Sequence, residues 1–296
     1  MPNLKEVRNR ISSVNSIMQI TSAMKMVSAA KLKKAQDRIL QLRPYAHKLK
    51  NIIQNVSAGL DISENIYART TPVTEHILII PISSNRGLAG AFNSNIYKKL
   101  NETIQQLAQQ HTSAKISVLP IGKKISEFCK KKNISVLNLE NTSVDLFELS
   151  EKPKFDTTSI LSNAIIQLFI DKKIDAIYLI YNQFKNAAFQ SPVVEDFLPI
   201  KKPDTFALPS IDYIFEPNRD SIIQELIPLS LQTQLYKALL DSNASEHGAR
   251  MTAMHKATDN AKELLHTLRI NYNKARQAAI TKEILEIVAG AEALKG

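Results

Sequence analysis

The sequence predicts a mixed α+β and α/β protein, in which two long terminal helices pair as an antiparallel coiled coil around an inserted Rossmann-like α/β domain. Three observations predict it. Residues 3–43 contain neither glycine nor proline and carry a 3–4 apolar repeat. Residues 76–200 alternate β-rich apolar runs with helical stretches. Beyond Pro228 there is no further proline, and Gly248 is the only glycine before Gly290. Glycine costs about 1 kcal/mol relative to alanine inside a helix, so such stretches favour helix.

The first rod would extend roughly 60 Å at about 1.5 Å per residue. Its apolar positions run Leu4, Val7, Ile11, Val14 and Met18, the spacing of a coiled-coil seam. The pattern then reads as a slip to Ile17, Ile20, Met24 and Val27, a stutter that would change the local winding. Pro44 marks a candidate kink, and the helical pattern resumes to about Val56. Residues 60–74 read as a surface connection.

In the middle segment, strands are expected at 76–82, 115–121, 134–140, 174–184 and 193–200, the last of them antiparallel. Helices are expected at Asn93–Gln110, 123–132 and Thr157–Lys172. Alternation of this kind builds a mostly parallel sheet. Residues 201–220 form a second connection, with Pro203, Pro209 and Pro217. A second rod follows, its seam running through Met254, Ala261, Leu265, Leu268, Tyr272, Ala275 and Ala279. Neither rod finds a partner for its stripe in the middle segment, so the simplest arrangement pairs the two with each other. The expected divisions are 1–58, 75–200 and 213–296.

Charge is uneven. The 296 residues carry a net +10, yet residues 1–50 hold eleven Lys or Arg against Glu6 and Asp37, a net of +9. Such an arm faces water, an acidic protein or nucleic acid. The stretch KLKKAQDR, residues 31–38, lacks the aromatic interleaving of a nucleic-acid surface but leaves all three readings open. No run of 18 apolar residues exists, and the N-terminus lacks the apolar core of a signal peptide. Cys129 is the single cysteine, which excludes an intramolecular disulfide and fits a reducing compartment.

Nothing in the sequence argues for catalysis, a cofactor or a metal. The loop SSNRGLAGAFN, residues 83–93, lies between a strand and a helix where a phosphate loop would sit, but it lacks both Gly-Lys-Ser/Thr and G-x-G-x-x-G. The six histidines show no metal-ligand spacing. A nucleotide-dependent enzyme built on the α/β segment therefore stands only on fold class. A stretch dense in small residues and methionine, residues 20–36, exceeds what coiled-coil packing needs. Its remaining positions would lie outward, for something to grip or slide past.

Two long stretches carry a resemblance. ISSVNSIMQITSAMKMVSAAKLKKAQ at one end and ARMTAMHKATDNAKELLHTLRINYNKARQAAITKEILEIVAGAEAL at the other resemble the terminal helices of the gamma-subunit family of F-type ATP synthases. SSNRGLAGAFN and YIFEPNRDSIIQELIP are similar to that family's strand-to-helix turn and to the start of its C-terminal helix. The resemblance runs end to end. It implies a central rotor stalk, itself non-catalytic, standing inside a ring of alpha and beta subunits, on a membrane ring of c subunits and beside an epsilon subunit. By similarity Met24, Arg250, Arg276, Gln277 and Thr281 would contact beta subunits, and Tyr213, Phe215 and Glu216 would meet the c ring and epsilon. Phe215 stands where the family often has tyrosine. The basic arm would face acidic protein, not nucleic acid. The expected location is peripheral, on the cytoplasmic face of a bacterial inner membrane, because the motif starts at residue 3 and leaves no room for a transit peptide.

Overall fold

The computed structural model describes residues 4–57, 66–69, 74–139, 143–187, 189–200 and 219–293. In chain order the elements are α1 (Leu4–Ser57), β1 (His76–Pro81), α2 (Phe92–Gln110), β2 (Lys115–Val118), α3 (Lys123–Lys131), α4 (Leu146–Glu151), α5 (Phe155–Ile170), β3 (Ala176–Phe184), β4 (Gln190–Leu198) and α6 (Arg219–Ala293). The expected connections at 60–74 and 201–220 fall largely outside the described residues. By contacts the chain forms two compact units, Met1–Ser28 with Met251–Gly296, and Ala29–Arg250.

The larger unit is built on a four-stranded sheet of order β2-β1-β3-β4. The pairs β1–β2 and β1–β3 are parallel, and β3–β4 is antiparallel. Central β1 is buried on both faces, which is why its sequence is continuously apolar and not alternating. Leu78, Ile80 and Ile82 point to one side and pack with Leu161, Ile165 and Phe169 of α5 and with Leu231, Leu235 and Leu239 of α6. Ile77 and Ile79 point to the other and pack with Ile96, Leu100 and Leu107 of α2 and with Ile125 and Cys129 of α3. The spacing of 4 along both α5 and α6 is one face of a helix, and the spacing of 2 along β1 is the pleat.

The strand expected at 134–140 is not one. Only Val136 bridges β2, at Val118, and Val136 is itself exposed. The segment's apolar residues Ile134, Leu137 and Leu139 still pack half-buried against the two cores, and the pairing with the four-residue β2 stops at that one bridge. Helix α5 starts two residues ahead of the expected Thr157 and stops at Ile170, because Lys172 turns into the left-handed region at φ 59°. Helix α4 was not anticipated. Its signal is Asp145, whose carboxylate accepts from the N–H groups of Phe147 at 2.8 Å and Glu148 at 3.3 Å.

In the smaller unit, α1 and α6 run antiparallel. The Thr258 and Thr21 hydroxyls meet at 2.9 Å, and Lys25 Nζ lies 3.4 Å from His255 Nδ1, so four residues forward on α1 matches three back on α6. Val14, Ala261, Leu265 and Leu268 form the apolar seam, flanked by Ile11 and Met18. Full burial of each large side chain contributes about 1.5–3 kcal/mol. The expected α6 seam therefore holds through Leu268, and Tyr272, Ala275 and Ala279 are half-buried beyond it.

The expected slip on α1 does not occur. Ile17, Ile20 and Val27 are more than half exposed, at 51%, 58% and 57%. The buried positions are Thr21 and Ser28, and beyond them Leu32, Ala35 and Ile39. The strict 3–4 spacing therefore continues unbroken through polar residues. Thr21 and Ser28 are tolerated there because their hydroxyls bond to the helix's own carbonyls, at Met18 and Met24.

Candidate functional site

Helix α1 presents Ile17, Ile20, half-buried Met24 and Val27 at steps of 3, 4 and 3, a single outward line beside exposed Met26. An apolar line on the outer face of a helix that already has a buried seam is a candidate interaction surface. At the other end of the chain, every residue from Ile280 to Ala293 is exposed. Ile280, Ile284, Leu285, Ile287 and Val288 are the large apolar side chains of this tip. Arg276 and Gln277 are exposed at its base, and the Thr281 hydroxyl bonds back to the Gln277 carbonyl at 2.9 Å. That bond leaves the hydroxyl oxygen's lone pairs and the Gln277 amide outward.

Arg250 is different from the other named positions. It is 8% exposed, and its guanidinium lies 2.7 Å from Glu246 Oε1 and donates to the carbonyls of Arg86 and Gly87, each at 3.3 Å. It thus ties α6 to the loop after β1. Burial pushes the Glu246 carboxyl above its usual range, and Arg250 pulls it back. Tyr213, Phe215 and Glu216 lie outside the described residues.

Around Arg250, α6 carries buried polar groups that the sequence reading passed over. Asn243 Nδ2 donates to the carbonyls of Ser150 and Glu151, and Ser245 Oγ donates to the carbonyl of Asn182. Burial lowers the His247 imidazole to about 4, helped by the charges of Arg250 and Lys31. Burial also raises the Asp241 carboxyl to about 6, against the pull of Lys237 and Arg43. For Asp241 the folded state holds its proton more tightly than the unfolded chain, so ionisation weakens the fold above pH 6 and that penalty fades as pH falls toward 4. His247 acts oppositely. The unfolded chain takes up the proton first, so stability is lost as pH falls from about 6.5 toward 4. Asp241→Asn is expected to stabilise the chain by about 2–3 kcal/mol at pH 7 and by little at pH 4, read from urea unfolding at the two values. An equal effect at both would remove the carboxylate from the explanation.

The loop at 83–93 spends its polar groups internally. Ser83 Oγ accepts from Ile125 N–H, Asn85 Oδ1 from Lys123 N–H, and the Ser84 carbonyl from Lys124 N–H. The first N–H groups of α3 are thereby occupied by this loop. Among the described residues no group of three His, Cys, Asp or Glu is placed to hold a metal. Cys129 is buried, and burial pushes its thiol up to about 11, which leaves it unreactive.

Residues 3–294 match the ATP synthase family model. The chain is 51% identical to the ATP synthase gamma chain of Cytophaga hutchinsonii over 300 residues, covering 99% of each. It is 52% identical to that of Christiangramia forsetii over 297 residues, covering all of both. The chain belongs to the ATP synthase gamma chain family. Among solved structures it resembles a chain of the central stalk and c ring of Tetrahymena thermophila mitochondrial ATP synthase, with TM-score 0.55 and 25% identity over 80% of this chain and 99% of that one. A chain of the Euglena gracilis mitochondrial enzyme matches with TM-score 0.65 and 19% identity over 98% and 94%, a likeness of fold. No helix among the described residues is long and apolar enough to cross a membrane.

Proposed function

We propose that this chain is the central rotor shaft of an F-type ATP synthase, with 1–58 and 213–296 as the shaft and 75–200 as an inserted side domain. It turns with a membrane c ring, beside an epsilon subunit, inside a ring of alpha and beta subunits. The ATP-making sites lie on the beta subunits, and this chain contributes no catalytic residue. It works on the cytoplasmic face of a bacterial inner membrane as a peripheral subunit.

The observation that carries this reading is the outward apolar line on α1 together with the wholly exposed tip of α6. A shaft turning in a sleeve needs contacts, but shallow ones. The tip segment AGAEA, residues 289–293, is slim and presents no deep knob. Arg276, Gln277 and Thr281 supply directional grips for carboxylates of the beta subunits, since a guanidinium can hold a carboxylate with two bonds. Met24 completes the apolar line, and Arg250 joins these contacts by exchanging its internal carboxylate for a partner's. Tyr213, Phe215 and Glu216 form the foot toward the c ring and epsilon. The +9 arm faces the acidic surfaces of the ring. A shaft shifts a beta subunit only by the difference between its contacts with two states of that subunit, so every contact made in one state alone contributes to coupling.

Replacing Ile17, Ile20 and Val27 together by serine tests this. The side chains are exposed, so thermal unfolding of the chain should move by less than about 1 kcal/mol equivalent. ATP hydrolysis by a ring reconstituted with the variant should fall about tenfold, for roughly 1.4 kcal/mol of lost contact. Full activity with the triple variant would place the coupling contacts elsewhere.

A further inference from the structure

The ends of three elements meet at one edge of the sheet, the edge where the parallel strands begin. There the Lys115 N–H bonds the Glu75 carbonyl at 2.7 Å and the Asp175 N–H bonds the His76 carbonyl at 2.9 Å. Helix α3 runs back against β2, so its last turn and the residues after it, Lys130, Lys131 and Lys132, return to this edge. The α5–β3 turn adds Lys172 and Lys173. All six lysines are exposed. Lys173 pairs with Asp171 at 3.3 Å, and Lys115, Lys130, Lys131, Lys132 and Lys172 have no ion-pair partner among the described residues. Asp175 accepts from the N–H groups of Glu75 and His76 and pairs with Arg69. Six lysines thus stand against exposed Asp171 and Glu75, a surplus of four positive charges along the edge.

We propose that this lysine rim is a contact surface for anionic lipid headgroups. Three features favour a membrane over nucleic acid. The lysines come from the ends of parallel elements and so follow one edge of the domain. The nearest large ring on α3, Phe128, is half-buried with one face stacked on Tyr97 at 4.4 Å, and no aromatic residue interleaves Lys130–Lys132 or Lys172–Lys173. And β4, paired at Leu198 with Ile177, ends at this same edge, and the proposed membrane-facing foot, residues 213–216, follows it in sequence. This last feature rests on the rotor reading. Each lysine near an anionic bilayer surface contributes on the order of 1 kcal/mol, screened by salt over about 10 Å.

The test is sedimentation of the full chain with vesicles of phosphatidylcholine alone or mixed with phosphatidylglycerol, with helicity checked by circular dichroism. The parent chain should bind only the mixed vesicles, and less tightly as salt rises. Joint Lys130→Gln, Lys131→Gln and Lys132→Gln should weaken that binding about 10- to 100-fold. Joint Lys33→Gln, Lys34→Gln and Arg38→Gln on α1 should weaken it less. Rim-variant binding within about twofold of the parent, or a larger loss from the α1 variant, would overturn the proposal. So would duplex DNA that displaces the vesicles and itself binds the rim variant poorly, since the rim would then be a nucleic-acid surface. ATP hydrolysis is not part of this readout, so the rotor reading stands or falls separately.

Discussion

Arg250→Ala is expected to destabilise the larger unit by about 3–5 kcal/mol near neutral pH. The guanidinium is the nearest cation to Glu246 and the donor to two loop carbonyls. Removing it leaves a buried carboxylate without its partner and takes a donor from the Gly87 carbonyl, while the Arg86 carbonyl keeps the Ser84 hydroxyl at 2.6 Å. Arg250→Lys keeps the charge but not the fork, and should recover only part of the loss. The double variant Arg250→Ala with Glu246→Gln removes both charges and should be closer to the parent than Arg250→Ala alone. Urea unfolding of the three variants checks this. A single variant within about 1 kcal/mol of the parent would mean that the pair is replaceable by water.

Gly122→Ala is expected to cost about 3–5 kcal/mol, or to prevent folding of the sheet unit altogether. Gly122 sits at φ 105°, where side chains are strained, and an added Cβ would lie 2.3 Å from the Ser83 carbonyl oxygen. The clash strikes the junction where Ser83 N–H bonds the Ile121 carbonyl and Ser83 Oγ receives the Ile125 N–H. Relief would push β1 and the start of α3 apart. By contrast, an added Cβ at Gly87 in the same loop meets nothing within 4 Å, so Gly87→Ala is the control that should stay close to the parent. Thermal unfolding of both separates local crowding from a general intolerance of the loop.

Much of this architecture is readable in the residues. The run HILIIP is apolar at every position because β1 is buried on both faces, and that alone points to the centre of a mostly parallel sheet. The long helices follow from the near absence of glycine and proline, and both prolines inside them, Pro44 and Pro228, are absorbed without ending the helix. The seam of α1 is not legible at Ile17, because apolar character there does not mean burial. The structure buries Thr21 and Ser28 instead, whose hydroxyls close on their own helix, and turns the isoleucines outward. A strict 3–4 count would have shown this, and the exposed line is where a partner is expected. The pairing of Arg250 with Glu246 is visible as an i, i+4 spacing, but its second anchor at Arg86 and Gly87 lies more than 160 residues away and leaves no local signal. The same holds for Ser83 and Asn85, which look like loop residues and serve as caps for α3.

The most direct measurement is ATP hydrolysis by purified alpha and beta subunits with and without this chain, with the stoichiometry of the product counted. A rotor shaft should assemble as one copy per alpha–beta ring and strongly stimulate hydrolysis. A chain that joins no ring and leaves hydrolysis unchanged would contradict the shaft reading.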